Sequence, residues 1–296
     1  MSANVPTDLR FSLAGFVRRG GETGRHTDGF GVAFLDHDGV RSFHDPAPGA
    51  HSPVAAFLRE HPIRSRTAIA HIRRASHGRV AAANTHPFQR ELWGRWWVFA
   101  HNGRLKGVKS WPLRHYRPVG TTDSEHAFCW LLGELRSSFA RMPSERLLHR
   151  ALEQLCRRLA TLGTFNIVLG EGPRLYVHCS TRLFWLTRRA PFGEARLADD
   201  DIIVDFARET APTDVVSVIA TRPLTRNETW RPFPRGSLML FQDGEPAAIY
   251  LKGGGHSQRK ARGPVGTGTW NDLRTDWLQR SQRITAKDFP RLVRSA

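Results

Sequence analysis

The sequence is poor in cysteine: only Cys129, Cys156 and Cys179 occur in 296 residues, widely spaced and odd in number. That excludes a disulfide framework and predicts a reducing, cytoplasmic compartment. No CxxC pair is present, which removes a zinc ribbon. No apolar run approaches the roughly 20 residues that cross a bilayer, so no membrane partner is expected. MSANVPTDLRF lacks the basic region and apolar core of a secretory signal. Internal repeats are missing too. Acidic residues are scarce, 27 against 44 basic ones. Such a balance permits contact with nucleic acid, but its distribution argues otherwise. Residues 252–296 hold ten Lys/Arg and three Asp, leaving +10 of the +17 net charge spread over the rest. No basic helix stands out, so nucleic-acid binding ranks below an enzyme and is expected of the tail alone.

What is present is a globular composition, 40% hydrophobic and 24% charged, long enough for one large domain or two small ones. FGVAFLDHDGVRSF (30–43) reads as a hairpin around Asp38-Gly39. Segments 66–75 and 96–102 read as further strands. TTDSEHAFCWLLGELRSSF (121–139) has the capping-box spacing of Thr122 and Glu125 and predicts a helix. Residues 144–163 predict a second, with Ser144 as N-cap and Gly163 as terminator. Short strands return at 164–170, 174–179, 183–189, 201–206, 214–221 and 237–251. Strands, two helices, then strands imply two antiparallel sheets with helices layered against them. A domain over 1–251 and a basic tail over 252–296, beginning KGGGHSQRKARG, are expected.

Four segments put polar groups at the ends of apolar runs: AHIRRASHG (70–78), NTHPF (84–88), AHNG (100–103) and GTTDSE (120–125). Chemistry tends to be displayed at such ends, over a rigid scaffold. Arg73 follows Ile69, Ala70 and Ile72; its planar donors suit a carboxylate, or a structural ion pair at the core edge. Asn102 and Gly103 offer two N–H donors, fit for an oxyanion hole or for a type I′ turn. Asp123 could accept from an ammonium group, or only cap its helix. Four histidines, His71, His77, His86 and His101, fall in these segments, but no HExxH or matching carboxylate accompanies them, so no metal is expected. RRGGETGRHTDGFG (18–31) lacks the Gly-Lys-Ser/Thr of a phosphate loop, and no GxSxG elbow occurs.

Taken in order, DGFG (28–31), HIRRASHG, NTHPF, WWVFAHNG and TDSE, with TRPLTRNETW and FPRGSLMLF over 221–241, resemble class II glutamine amidotransferases. The likeness is to their stand-alone bacterial members, which are related to subunits that hydrolyse γ-glutamyl peptides. It spans residues 1–251. It implies an α+β fold, a four-layer αββα sandwich like that of N-terminal-nucleophile hydrolases. By the resemblance Arg73 grips the substrate α-carboxylate, Asp123 the α-ammonium, and Asn102 with Gly103 the oxyanion, while His77 and His86 shape the pocket. The substrate is glutamine or a γ-glutamyl amide, with no cofactor and, for a glutaminase subunit, an ammonia-accepting partner.

The same resemblance calls for an N-terminal cysteine whose α-amine acts as base. None of the three cysteines stands at such a place. The likeness places Ser2 at the far end of the first strand, several residues past the nucleophile. The expectation is therefore a start upstream of Met1 carrying Met-Cys, with residues 1–296 alone inactive. The alternative is a non-catalytic glutamine- or γ-glutamyl-binding protein that works through a partner.

Overall fold

The computed structural model describes residues 1–36, 39–75, 78–251 and 255–258. Along the chain, β1 (Ser2–Asp8) leads into α1 (Arg10–Arg18). The hairpin of β2 (Phe30–Leu35) and β3 (Val40–Asp45) follows, then α2 (Pro53–Glu60), β4 (Arg64–Ile72), β5 (Phe88–Leu92) and β6 (Arg95–Leu105). Helices α3 (Asp123–Ser138) and α4 (Glu145–Ala160) interrupt the strands. After them come β7 (Gly163–Glu171), β8 (Arg174–Cys179), β9 (Phe184–Arg189), β10 (Glu194–Arg196) and β11 (Ile203–Asp205). The last are β12 (Val215–Ala220), β13 (Arg231–Pro232), β14 (Ser237–Gln242), β15 (Glu245–Leu251) and β16 (Gly255–Gln258).

Two seven-stranded sheets result, ordered β13-β9-β12-β1-β4-β2-β3 and β16-β15-β14-β8-β7-β6-β5, with every pairing antiparallel. The period-2 pattern sends alternate side chains to opposite faces, and this separates the cores. Ala33, Leu35 and Ile69 of the first sheet meet Val98, Val177, Met239 and Phe241 of the second between the sheets. Leu13 and Val17 of α1, with Ala55 and Leu58 of α2, cover Phe30, Val32 and Phe34 outside. On the far side α3 and α4 bring Phe128, Leu131, Leu152 and Leu155 onto Phe99, Phe165 and Leu238. Phe99 and Phe128 stack with centroids 4.9 Å apart. Burying each such ring contributes roughly 1.5–3 kcal/mol. The αββα sandwich is the observed architecture.

Several local expectations are corrected. Asn102-Gly103 does not end a strand or make a hairpin turn: β6 runs on to Leu105, paired residue for residue with β7 from Trp97↔Glu171 to Leu105↔Gly163. A Cβ on Gly103 would stand 1.9 Å from the Thr164 carbonyl oxygen, at φ +155°, so close approach of β7 dictates this glycine. The strand expected over 66–75 stops at Ile72. Residues 237–251 are two strands, folded at Asp243-Gly244, whose positive φ values suit a tight turn. Thr122 caps α3 by accepting from Glu125 N at 3.1 Å, but the Glu125 carboxylate does not return to the cap. It collects Val119 N, Gly120 N and the Arg90 guanidinium instead. Ser144 makes no side-chain cap bond, and Gly163 opens β7 instead of ending α4. Helices α1 and α2 are read from the structure alone. Strand β16 extends the second sheet to Gln258, past the boundary expected at 251. Residues 259–296, most of the expected tail, lie outside the described residues, as do Asp38 and His77.

One irregularity positions the site. β1 lies between β4 and β12, with Ser2 opposite Thr67 and Ser217. The Met1 α-amine donates to the Ala68 carbonyl at 2.8 Å. Beyond that point β4 continues to Ile72 and β12 to Ala220, and among the described residues no strand lies between them. A lane one strand wide, roughly 10 Å between its flanking strands, opens ahead of Met1.

Candidate functional site

The lane belongs to a cavity of about 480 Å³ whose wall includes Met1, His71, Ile72, Asn102, Asn166 and Ala220. Its wall is mostly apolar, and the amides of Asn102 and Asn166 are among the polar groups that reach it. Asn102 is exposed and stands directly across from Asn166, which is 3% exposed. Asn166 is pinned: its side-chain oxygen accepts from Ser180 N and Thr181 N, and its Nδ2 donates to Thr181 Oγ1 at 2.8 Å. The Met1 α-amine is also held here, and burial pushes it down to about 5.

Behind this wall, His101 links β6 to α3. Its Nε2 meets the Thr164 carbonyl at 2.9 Å and its Nδ1 meets Ser124 Oγ at 2.8 Å. A carbonyl only accepts, so Nε2 carries the proton and Nδ1 accepts from the Ser124 hydroxyl. Burial lowers the His101 pKa, while the Thr164 bond and the Asp123 charge oppose that. Asp123 accepts from Leu105 N at 2.8 Å and from Ser124 N at 3.0 Å. The start of α3 is thus tied to β6 two residues past Gly103.

Arg73 leaves β4 buried, at 3% exposure, and its guanidinium donates to the carbonyls of Asp28, Gly78 and Arg79. Asn84 fastens the same loop: Nδ2 donates to Arg79 O at 2.9 Å, and Oδ1 accepts from Thr121 N at 2.7 Å. Arg73, the 78–79 loop and the approach to α3 are thereby held as one unit. His86 packs against His71 and Phe88 with tilted rings, centroids 4.3 and 4.4 Å away. Neither ring nitrogen of His86 has a hydrogen-bond partner among the described residues. Burial, then the charges of His71 and His101, holds its pKa well below the usual histidine value, and burial pushes His71 down to about 3. Both rings are neutral at pH 7. Glycine lets these pieces meet, since a Cβ on Gly31 would stand 2.2 Å from the His86 carbonyl oxygen.

The residues singled out from the sequence therefore fall into two groups. Asn102 faces the cavity, Gly103 and Asp123 are joined through the β6–α3 contact, and His86 reaches the cavity wall through His71. Arg73 and the 78–79 loop form a neighbouring block. His77 lies outside the described residues. Asn84, Ser124 and Asn166 were not singled out: single short polar residues carry no spacing signal, and only their partners in other segments, Thr121, His101 and Ser180–Thr181, give them a role. Among the described residues no group of three His, Cys, Asp or Glu is arranged to hold a metal ion, and no helix is long and apolar enough to cross a membrane.

The αββα sandwich thus gathers the amides of Asn102 and Asn166 and the rings of His71, His86 and His101 around the strands β4, β6 and β7. The chain belongs to the class II glutamine amidotransferases, whose family model matches residues 1–263. It is 51% identical over 246 residues to YafJ of Escherichia coli (strain K12), covering 83% of this chain and 96% of that one. A Haemophilus influenzae protein is 44% identical over 248 residues, covering 84% of each chain. Both carry the name glutamine amidotransferase provisionally. A 2.0 Å crystal structure of a glutamine amidotransferase, so named by prediction, from Pseudomonas aeruginosa PA01 superposes with a TM-score of 0.66. It shares 43% identity, over 83% of this chain and 96% of that one.

Proposed function

We propose that the protein hydrolyses, in the cytoplasm, the side-chain amide of glutamine or the amide of a γ-glutamyl donor. It does so either free-standing or by feeding ammonia to a partner subunit. The observation that carries this reading is the lane between β4 and β12, which opens on the hollow where Asn102 stands. A cysteine arriving along that lane with a free α-amine would hold nucleophile and base on one residue. Its thiolate adds to the amide carbon, and the α-amine keeps the thiol proton. Asn102 Nδ2–H and Gly103 N–H are assigned to the oxyanion. The C–N bond then breaks, the proton passes to the leaving nitrogen, and a thioester remains for water to cleave. Arg73 is assigned to the substrate α-carboxylate and Asp123 to its α-ammonium, with His77 and His86 shaping the pocket.

The test compares residues 1–296 with the same chain led by a Met-Cys segment of about five added residues, enough to line Ile69–Ile72. Calorimetry should find L-glutamine binding to both, and ammonia release should follow only the second. Ammonia release that survives Cys→Ala in the added segment would overturn the reading. A second reading, a non-catalytic binder, is favoured by the state of the native thiols. Cys129, Cys156 and Cys179 are all buried, and burial raises each pKa above the usual thiol value. Binding without turnover in both chains would select it.

A further inference from the structure

Arg73 and Asp123, the groups assigned to the two charged ends of the substrate, lie in separate segments, and one buried side chain bonds to both neighbourhoods. Asn84 closes the short helical turn Ala82–Asn84 and is 4% exposed. Its Nδ2 donates to the Arg79 carbonyl at 2.9 Å, the same carbonyl that accepts from the Arg73 guanidinium at 3.2 Å. Its Oδ1 accepts from Thr121 N at 2.7 Å. Thr121 stands two residues ahead of Asp123, next to the Thr122 cap of α3. It is caught from the other side too, where Lys109 Nζ donates to its carbonyl at 2.6 Å. The junction has no slack. A Cβ on Gly120 would stand 2.3 Å from Asn84 Oδ1. One on Gly78, at φ +83°, would meet Thr121 Oγ1 at 3.0 Å, Asn84 Nδ2 at 3.3 Å and the Arg73 guanidinium at 3.6 Å.

A buried asparagine between two loops is often no more than a fastener, and its bonds alone would fit that role. What it fastens sets it apart. An α-amino acid carries its carboxylate and its ammonium on one carbon, so both are held at once only by groups at a fixed separation. Neither reader sets that separation by itself. Arg73 is oriented by the carbonyls of Asp28, Gly78 and Arg79, and Asp123 by Leu105 N on β6. Groups preset at the right spacing avoid an ordering cost when the ligand binds. We infer that Asn84 is a positioning residue: it sets the spacing of Arg73 and Asp123 and so gives the site its preference for a ligand bearing both charges. The inference rests on the glutamine reading above and adds the residue that makes the two recognition points act together. Without Asn84 each reader keeps its own anchors, and the joint grip is lost.

The probes are L-glutamine, 4-carbamoylbutanoate, which lacks the α-ammonium, and 4-aminobutanamide, which lacks the α-carboxylate. Their Kd values are measured by calorimetry on residues 1–296, parent and Asn84→Ala, the weaker ones by displacement of L-glutamine. Asn84→Ala should weaken L-glutamine by roughly 10-fold, within the range usual for coupling between two binding points. Either one-charge probe should weaken by less than about 2-fold, as expected of sites that no longer interact. The advantage of glutamine over both probes then shrinks, which a general loss of stability would not produce. A melting curve shows whether the variant is folded. Asn84→Asp is the second variant: it keeps the volume and the acceptor for Thr121 N, loses the donor to the Arg79 carbonyl, and should show the same shrinkage. A glutamine Kd within about 2-fold of the parent's in a folded variant, or three probes weakened by one common factor, overturns the inference and leaves the amide chemistry standing. Loss of folding in both variants makes Asn84 structural and overturns it as well. A parent chain that binds none of the probes strikes the glutamine reading itself, and the inference with it.

Discussion

Asn102 on β6 and Asn166 on β7 form a direct cross-strand pair, and both side chains face the same cavity. Their roles divide by their bonds. Asn166 is fully engaged by Ser180 and Thr181 and acts as a fixed wall. Asn102 is exposed, so its amide can turn to an incoming oxygen. In the Met-Cys-led chain, Asn102→Ala should lower kcat by about 10²–10³-fold, the usual cost of one oxyanion donor. Asn166→Ala should chiefly lower the urea midpoint, by loss of the 180–181 turn. Steady-state kinetics and urea melts on both variants separate the two effects.

Gly103→Ala tests the backbone at the same spot. The added methyl would meet the Thr164 carbonyl oxygen at 1.9 Å. Relief requires β6 and β7 to part, and a cost of roughly 2–4 kcal/mol is expected from strain at a special backbone position. A denaturant midpoint within experimental error of the parent would refute this.

Asp123→Asn keeps an acceptor for Leu105 N but removes the negative charge. If Asp123 receives the substrate ammonium, the Kd for L-glutamine should rise about 10- to 100-fold with the melting temperature little changed. Calorimetry decides. An unchanged Kd leaves Asp123 as a tie between β6 and α3 only.

His86 gives a pH dependence of defined sign. Its folded pKa is held well below the unfolded value by burial, so the unfolded chain binds the proton first. The native state thus keeps its full share of stability above the unfolded pKa of about 6.5, and loses about 1.4 kcal/mol per pH unit as pH falls below it. His86→Phe, which keeps a ring packed between His71 and Phe88, should flatten that slope between about pH 6 and 4 in urea titrations. A slope equal to the parent's would place the acid sensitivity elsewhere.

Thr122→Ala removes the cap that accepts from Glu125 N. A loss of about 1 kcal/mol is expected. Because α3 also carries Asp123, glutamine affinity should fall with it, read by calorimetry on the same sample.

The sequence by itself determined which segments would be strands and helices wherever apolar spacing was regular, as in the hairpin read over 30–43, the strand read over 96–102 and the two central helices. It also determined the family, because five short motifs in register are far more specific than any one of them. It did not show α1, whose N-cap position is Leu9, a residue without a side-chain acceptor, while the Arg10 N–H is met by Asp8, one residue before Leu9. It left Asn102-Gly103 open between a turn and a pair of donors, since both uses demand the same two residues. Only the tertiary structure ruled out the turn, through the nine-residue register with β7. Asn84 and Asn166 were likewise invisible along the chain. Their roles depend on partners in other segments, Thr121 for Asn84 and Ser180 with Thr181 for Asn166, and periodicity records which face a residue occupies but not what stands opposite it.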